Sequence, residues 1–216
     1  MKRNISRTEA IALIDANNFY ASCEQIINPK LRNKPVVILS NNDGCIIARS
    51  PEARALKIKM GSPYFKEKEK LNKLNVAVLS SNYSLYGDIS KRLMNLLKNY
   101  CEEIEIYSID EAFVSISRPN DKNLHPWARK LRSLIYQDLG ITITIGIGEN
   151  KVRAKIANRL AKHIDSSAGI FDFFGIKDEN NYLRGIHVKK IWGIGKQTSN
   201  WLQSKGIKNA KELKDM

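Results

Sequence analysis

The sequence has few cysteines and histidines, and it has no long apolar run. Its three cysteines are an odd number and lie far apart, which fits a reduced cytosolic protein better than a disulfide framework. None of the three histidines has a cysteine or another histidine at ligand spacing, so no zinc site is predicted. The basic N-terminus lacks the apolar core of a signal peptide, and no run reaches transmembrane length. We therefore expect a cytoplasmic protein without a membrane partner.

Acidic residues are also in short supply compared with basic ones. The 216 residues include 36 Lys and Arg against 22 Asp and Glu, a net charge of +14. Such a surplus favours polyanionic partners, nucleic acid first and a membrane surface second. Residues 150–216 alone hold 14 Lys and Arg against 6 Asp and Glu. A hydrophobic content of 43% is typical of a globular chain with one large domain or two to three small ones.

One stretch departs from this basic character. Residues 102–111 hold five carboxylates and no basic residue. Apolar residues alternate with polar or aromatic ones on both sides, which predicts two antiparallel strands with Asp110 and Glu111 at or beside the turn. Neighbouring acids repel each other, and a bound cation relieves that repulsion. A solvated acidic turn is the alternative interpretation of an isolated Asp-Glu pair.

A further acid follows a buried strand near the N-terminus. The unbroken apolar run 11–14 predicts a central strand that ends at Asp15. An acid at this position can meet the hairpin acids at the sheet edge, although a plain strand-end or cap role is the alternative. Three convergent carboxylates can hold two divalent ions for in-line phosphoryl transfer.

The next segment combines short strands with a basic helix start. Apolar runs at 36–39 and 45–48 predict two strands joined by a turn. Ser50 is the predicted N-cap of a helix that carries Arg54 and stops by Gly61. Because basic side chains flank this strand-to-helix junction, it can hold phosphate, with a solvated basic face as the alternative.

Three later segments have clear periodicity. Residues 83–100 and 127–139 have one apolar face each and predict helices that cover the sheet. Residues 141–148 alternate strictly and predict a strand. Asn150 then caps a predicted helix over 151–162. Lys162 ends its basic face, which suits nucleotide phosphates or, alternatively, plain solvent exposure.

The last segment is helical, small and basic. A Gly-Ile-Gly turn at 193–195 stands between two predicted helices, whose Ile191 and Leu202 can pack together. Such a turn exposes backbone N–H groups to a phosphate and predicts a helix-hairpin-helix that grips DNA without reading its sequence. A plain helical turn with two glycines is the alternative.

Taken together, these motifs resemble the Y-family of translesion DNA polymerases, and most of all its UmuC-type members. The combination of Asp15-x-x-x-Phe19-Tyr20 with Ser-Ile-Asp-Glu-Ala at 108–112 is highly specific. The matching stretches run in family order, at 15–24, 34–45, 80–83, 107–113 and 192–195.

The resemblance implies an α+β fold with a ferredoxin-like palm sheet, helices on one face, inserted α/β fingers and a partial helical thumb. The palm would comprise residues 1–20 and 82–175, the fingers 21–81, and the thumb, with its helix-hairpin-helix, 176–216. Residues 1–9 precede the usual family start. Family members continue into a little-finger domain with a sliding-clamp peptide, so the resemblance implies a C-terminally truncated chain without either.

The resemblance also implies site roles. Asp15, Asp110 and Glu111 would be catalytic and would bind two Mg²⁺ ions, for which Mn²⁺ can substitute, with the Ala16 carbonyl as a further ligand. Tyr20 would be the steric gate against ribonucleotides. Roles in binding would fall to the following residues: Asn18, Phe19, Arg54 and Lys162 for the triphosphate, and Gly193, Gly195 and Lys196 for the DNA backbone. Ala48 and Pro51 stand where many members place a Thr and a Tyr on the triphosphate.

Primed template DNA and deoxynucleoside triphosphates are the implied partners, in error-prone synthesis past damage during the SOS response. A UmuD′-like dimer, a RecA filament and a sliding clamp are implied by the resemblance alone. Two alternatives remain open. One is a DNA-binding or regulatory fragment without polymerase activity, and the other is a cyclase-like nucleotidyl enzyme on a similar palm.

Overall fold

The larger sheet is built around one long strand. The computed structural model describes residues 7–119, 123–164 and 167–216. Within these ranges five strands form the larger sheet, with β1 (Arg7–Ala16) at its centre. On its two sides β1 pairs antiparallel with β6 (Glu111–Pro119) and β7 (Ile143–Gly148). The outer strands are β5 (Glu103–Ile106), antiparallel to β6, and β8 (Ile170–Asp172), parallel to β7.

The central strand is longer than the apolar run predicts. The β1–β6 ladder extends from Arg7, opposite Pro119, to Asp15, opposite Glu111. Residues 7–9 of the N-terminal extension therefore belong to the sheet, and residues 1–6 lie outside the described residues. The extra length comes from pairing with β6, a contact distant in sequence that a local hydrophobic pattern does not reveal.

The two helices of the expected ferredoxin-like unit cover one face of the sheet. They are α4 (Tyr83–Tyr100) and α5 (His125–Leu139), and the chain order is β1-α4-β5-β6-α5-β7. Their buried Leu93, Leu97, Leu131 and Ile135 pack in one core with the even-numbered residues of β1. The predicted fold class is confirmed in this arrangement.

A further helix, α6 (Lys151–His163), packs on the opposite face and is additional to the unit with helices on one face. Glycines in β7 permit its close approach. A Cβ on Gly146 would lie 2.0 Å from the Asn158 backbone nitrogen and 2.5 Å from the Ala154 carbonyl oxygen. The Asn158 side chain donates to the Thr144 carbonyl at 3.0 Å and ties helix to strand. Helix α6 thus extends over the same face as the odd-numbered side chains of β1.

An α/β unit is inserted between β1 and α4. It begins with α1 (Phe19–Ile27), and its sheet has the order β3-β2-β4. The remaining elements are β2 (Val36–Leu39), β3 (Ile46–Arg49), α2 (Pro51–Ala55), α3 (Tyr64–Lys73) and β4 (Ala77–Ser80). Helix α2 ends well before the predicted limit at Gly61, because Lys57 adopts a left-handed φ of 57° and the next residue, Ile58, is buried in the core of this unit.

The C-terminal segment comprises α7 (Glu179–Arg184), α8 (Lys196–Ser204) and α9 (Ala210–Lys214). Its buried Ile191 and Leu202 belong to one core with residues of α6, among them Ile156 and Leu160. The Gly-Ile-Gly turn precedes α8 as predicted, but a 3₁₀ turn, Val188–Lys190, stands where an α-helix was expected. The preceding backbone is extended because His187 pairs with Asn209, and the Val188 N–H donates to the Lys208 carbonyl at 2.9 Å. In the part of the chain that the structure describes, every helix is too short or too polar to cross a lipid bilayer.

Candidate active site at the end of the central strand

Strand register brings the predicted acids to one edge of the sheet. Asp15 in β1 lies directly opposite Glu111, the first residue of β6. Asp110 is held in the preceding bend, where its carbonyl accepts from the Ala16 N–H at 2.9 Å. Two β1 residues and two hairpin residues therefore meet at the strand end.

Burial dominates the electrostatics of this edge. Asp15 is only 6% exposed to solvent. Burial raises the pKa of Asp15 to about 7, opposed by the charge and hydrogen bond of Lys162 and reinforced by a hydrogen bond and repulsion from Glu111. The Lys162 ammonium lies 2.6 Å from an Asp15 carboxylate oxygen. Lys155, on the same helix, lies 2.7 Å from Glu111. Helix α6 thus supplies counter-ions to two of the acids.

Asp110 is oriented by its own bend. The Ser108 hydroxyl donates to an Asp110 carboxylate oxygen at 2.7 Å, and the Ser108 oxygen accepts from the Glu111 N–H at 3.1 Å. Ser108 is thereby a site residue that sequence reasoning treated only as part of a motif. Its position two residues before an acid in a turn is a recognisable signal for such local bonds.

The donor set fits a hard divalent cation, although the acids are engaged with other partners. Among the described residues, no group of three His, Cys, Asp or Glu side chains lies close enough together to hold a metal ion. The raised pKa of buried Asp15 beside Glu111 reports unfavourable carboxylate charge, which a divalent cation would relieve. Carboxylate and carbonyl oxygens are the ligands that Mg²⁺ prefers. The chemistry of these oxygens, rather than their spacing in this structure, therefore fits such an ion.

A cavity of about 330 Å³ opens beside the acids, between the sheet edge and the inserted unit. Asp15, Ala16, Asp110 and Lys162 line one side of it. The predicted residues Asn18, Phe19 and Tyr20 also line it. The opposite wall includes Ile47, Ala48 and Arg49, together with Met60, which sequence reasoning missed. Met60 escapes a motif search because its place in the wall depends on the fold of the inserted unit.

Tyr20 is held in this cavity by stacking. Its ring lies parallel to that of Tyr86 with centroids 4.5 Å apart, and it meets Tyr83 edge-on at 6.0 Å. The Tyr86 side chain is fully buried, and its hydroxyl donates to Glu24 at 2.9 Å. Burial, followed by the charges around it, raises the pKa of Tyr20. The ring is therefore fixed as a neutral wall beside the acids.

Arg49 and Lys162 line the cavity, and Arg54 contacts Asn18 at its side. The Arg54 guanidinium donates to the Asn18 side-chain oxygen at 2.6 Å, and Asn18 has a left-handed φ of 51°. Arg49 lines the cavity and donates to the Ile58 carbonyl. Burial, and to a smaller extent the charge of nearby Arg54, lowers the pKa of Arg49. With Lys162 at the acids, these groups suit a polyphosphate.

The Gly-Ile-Gly turn forms a separate basic surface. Gly193 has a φ of +87°, and Gly195 is the N-cap of α8, which begins at Lys196. A cavity of about 390 Å³ at this turn is lined by Gly195, Lys196, Lys189 and Lys190, with no acidic residue among its described lining. A positive φ is a backbone conformation that glycine adopts without steric strain, which explains the glycine at position 193. The arrangement suits a phosphate of a nucleic-acid backbone.

Comparison with known proteins agrees with these features. The family model described as the impB/mucB/samB family matches residues 14–159. Protein UmuC of Salmonella typhimurium is 42% identical over 206 residues, which cover 94% of this chain and 49% of that protein. DNA polymerase IV of Saccharolobus solfataricus is 33% identical over 204 residues, covering 91% of this chain and 56% of its own length.

Solved structures also match this chain over most of its length. A Dbh ternary complex has a TM-score of 0.78 and 27% identity, over 96% of this chain and 60% of that one. DinB from Sulfolobus solfataricus has a TM-score of 0.74 and 26% identity, with the same coverage. The chain spans about half the length of the curated relatives that it matches.

Proposed function

Because the chain belongs to the impB/mucB/samB family of Y-family DNA polymerases, we propose that it carries out template-directed DNA synthesis past damaged bases. The reaction is nucleotidyl transfer from a deoxynucleoside triphosphate to a primer 3′-hydroxyl. The observation that carries the proposal is the register that sets Asp15 opposite Glu111, beside a cavity bounded by Tyr20. A buried and a half-buried carboxylate beside a cavity with cationic side chains are suited to polyphosphate chemistry.

We assign the parts of the chain on the same basis. Residues 1–20 and 82–175 are the palm, residues 21–81 the fingers, and residues 176–216 belong to the thumb. The core of the inserted unit, which lies within residues 37–76, supports its assignment as the fingers. The little finger of longer relatives is not part of this assignment.

Asp15, Asp110 and Glu111 are the residues that would hold two Mg²⁺ ions, with the Ala16 carbonyl as a further ligand. When bound, the ions lower the pKa of the primer hydroxyl and neutralise the departing pyrophosphate. Asp15 would have to be ionised for this role, and a bound cation would favour that form against the burial that raises the pKa of Asp15 to about 7. Lys162, which donates to Asp15 at 2.6 Å, would bind phosphate beside the acids.

The remaining cavity residues bind and select the nucleotide. Arg54 and Lys162 hold the triphosphate, and the Asn18 and Phe19 amides at the start of α1 add N–H donors. The Tyr20 ring, stacked on Tyr86 at 4.5 Å, blocks the space that a ribose 2′-hydroxyl needs. Because that ring is packed rather than mobile, it excludes the hydroxyl sterically.

The duplex is held by backbone contacts. The Gly193 and Gly195 amides and the Lys196 ammonium bind phosphate at the basic turn, without sequence preference. By resemblance we extend the proposal to a cytoplasmic protein of the SOS response that acts with a UmuD′-like dimer, a RecA filament and a sliding clamp. These partners rest on the resemblance alone.

The proposal is tested by single-nucleotide addition to a primed template in the presence of Mg²⁺. Four templates that differ only in the first unpaired base should each direct addition of the complementary deoxynucleotide. A chelator should abolish the product. Addition that ignores the template base would reject templated synthesis, and turnover of nucleotide without any DNA would instead favour a cyclase-like enzyme.

A second candidate function is DNA binding without synthesis. The basic turn favours it. Its signature is salt-sensitive binding to primed DNA with no incorporation at any Mg²⁺ or Mn²⁺ concentration. Incorporation by this chain excludes that candidate directly.

A further inference from the structure

Three aromatic side chains connect the acidic hairpin to the basic turn. This aromatic cluster consists of Tyr107 and Phe113 of the hairpin and Trp192, the residue directly before Gly193. Tyr107 meets Trp192 edge-on with centroids 5.7 Å apart and Phe113 at 5.6 Å. The Trp192 indole N–H donates to the Tyr107 hydroxyl at 3.1 Å. Trp192 thus contacts Tyr107 and is bonded directly to Gly193, so it links the Tyr107 ring to the turn.

Lys155 stands between this cluster and the predicted catalytic carboxylate. Its ammonium lies 4.2 Å from the centroid of Tyr107 and within 6 Å of those of Phe113 and Trp192. The same ammonium lies 2.7 Å from a Glu111 oxygen. Both side chains of this ion pair are largely shielded, at 18% and 20% exposure. Lys155 thus has two partners, a carboxylate and a set of aromatic faces, that attract it independently.

These two attractions respond differently to a metal ion. A divalent cation bound at Glu111 would outweigh the single negative charge that holds Lys155 and would repel its ammonium. The aromatic faces keep their attraction for the ammonium, because it depends on the ring quadrupoles and not on Glu111. An ammonium displaced from Glu111 would therefore still be attracted to the aromatic cluster, which it already contacts.

We propose that Lys155 is a positioning residue that occupies Glu111 until a divalent cation displaces it onto the aromatic cluster, and that Trp192 transmits this exchange to the Gly193–Gly195 turn. The inference rests on the proposed function, since it assigns a device to the same carboxylate. Its consequence is reciprocal coupling: cation binding at Glu111 changes the grip of the turn on DNA, and DNA at the turn changes cation affinity.

The exchange is measurable without catalysis. In a W127F/W201F background Trp192 is the remaining indole, since the sequence has three tryptophans. We expect Mg²⁺ to shift its emission with the same midpoint that titration calorimetry gives for Mg²⁺ binding. Lys155→Met should abolish the emission shift and lower the Mg²⁺ midpoint about tenfold, because a competing positive charge is gone.

Lys151 provides the matched control. It lies one turn earlier on α6 and, like Lys155, has an ammonium near the Phe113 ring, 5.5 Å from the centroid. Its carboxylate partner differs, because it pairs with Glu105, which is not among the predicted ligands. Lys151→Met removes the same charge and should leave both the Mg²⁺ midpoint and the Trp192 response near those of the background protein. Glu111→Gln should remove the emission shift even where other sites still bind Mg²⁺.

The coupling is tested by DNA affinity with and without Mg²⁺. We expect Mg²⁺ to tighten binding to primed DNA more in the wild-type chain than in Trp192→Phe. This substitution removes the N–H donor, leaves the net charge unchanged and keeps most of the side-chain volume. Equal tightening would overturn the role of Trp192.

Calorimetric Mg²⁺ binding without an emission shift, or with an unchanged midpoint in Lys155→Met, would overturn the exchange and leave the proposed function standing. Absence of Mg²⁺ binding to both proteins would also overturn it. The proposed function is judged separately, by templated incorporation.

Discussion

At the scale of single residues, burial controls the charge of the site before any ligand arrives. Asp15 is 6% exposed and has a pKa of about 7, against an ordinary value of 3.8. The native chain therefore binds a proton at Asp15 across a pH range in which the unfolded chain has released it. Stability from this group is present below pH 4 and is lost as the pH rises to 7.

The loss of stability with rising pH gives the first prediction. In metal-free buffer, the free energy of unfolding of the wild-type chain should fall relative to that of Asp15→Asn between pH 4 and 7, by about 1.4 kcal/mol for each unit of pKa shift. Urea denaturation of both proteins at several pH values measures the difference. A difference that is constant with pH would contradict the raised pKa of Asp15.

Tyr20 gives a second prediction at this scale. Tyr20→Ala opens the space beside the nucleotide sugar and should reduce the preference for deoxyribonucleotides by roughly 10- to 100-fold. Tyr20→Phe keeps the ring and its stacking on Tyr86, so it should retain the preference. Parallel incorporation assays with ribo- and deoxynucleotides check both variants. An unchanged preference in Tyr20→Ala would rule out the steric gate.

The acids and the residues after Asp15 could be picked out from the sequence because they form short local motifs, and their roles in the site stay predictions. Asp110 and Glu111 are neighbours, and Asn18, Phe19 and Tyr20 follow Asp15 within one turn of chain. Their partners were not accessible, because Lys162 and Lys155 reach Asp15 and Glu111 across 147 and 44 positions of sequence. Pairing over such separations is decided by the packing of α6, which local patterns do not encode.

At the scale of elements, the contact between β7 and α6 positions the counter-ions of the acids. Strict alternation predicts β7, and a cap at Asn150 predicts the start of α6, which the structure has at Lys151. The short strand β8 was missed, since three residues give too little periodicity to recognise. The face that α6 covers follows from Gly146 and Gly148, whose missing side chains allow backbone contact.

This contact gives a third prediction. Gly146→Ala places a methyl group 2.0 Å from a backbone nitrogen of α6 and should lower the free energy of unfolding by about 3 kcal/mol. Gly87→Ala in α4 is the control, because its Cβ meets nothing within 4 Å. That substitution should stabilise the chain by about 0.5–1 kcal/mol. Equal stability of the two variants would show that β7 and α6 are not in close contact.

At the scale of the whole molecule, the charge of +14 predicts salt-dependent binding to DNA. Log affinity for duplex DNA should fall linearly with log salt. Lys196→Gln, at the basic turn, should reduce the slope by about 1, whereas Lys98→Gln, an equal charge change on α4, should leave it unchanged. Fluorescence anisotropy across a salt series measures the slopes. Identical slopes for all three proteins would exclude Lys196 as a phosphate contact.

We propose that Asp15, Asp110 and Glu111 form a metal-dependent nucleotidyl-transfer site. Asp110→Asn is the sharpest test, since the substitution keeps the shape of the side chain and an oxygen for the contact with Ser108 while removing a charged ligand. We expect single-nucleotide incorporation by the wild-type chain to fall to background in Asp110→Asn, with circular dichroism and DNA affinity unchanged. Incorporation at equal rates by both proteins would contradict the claim.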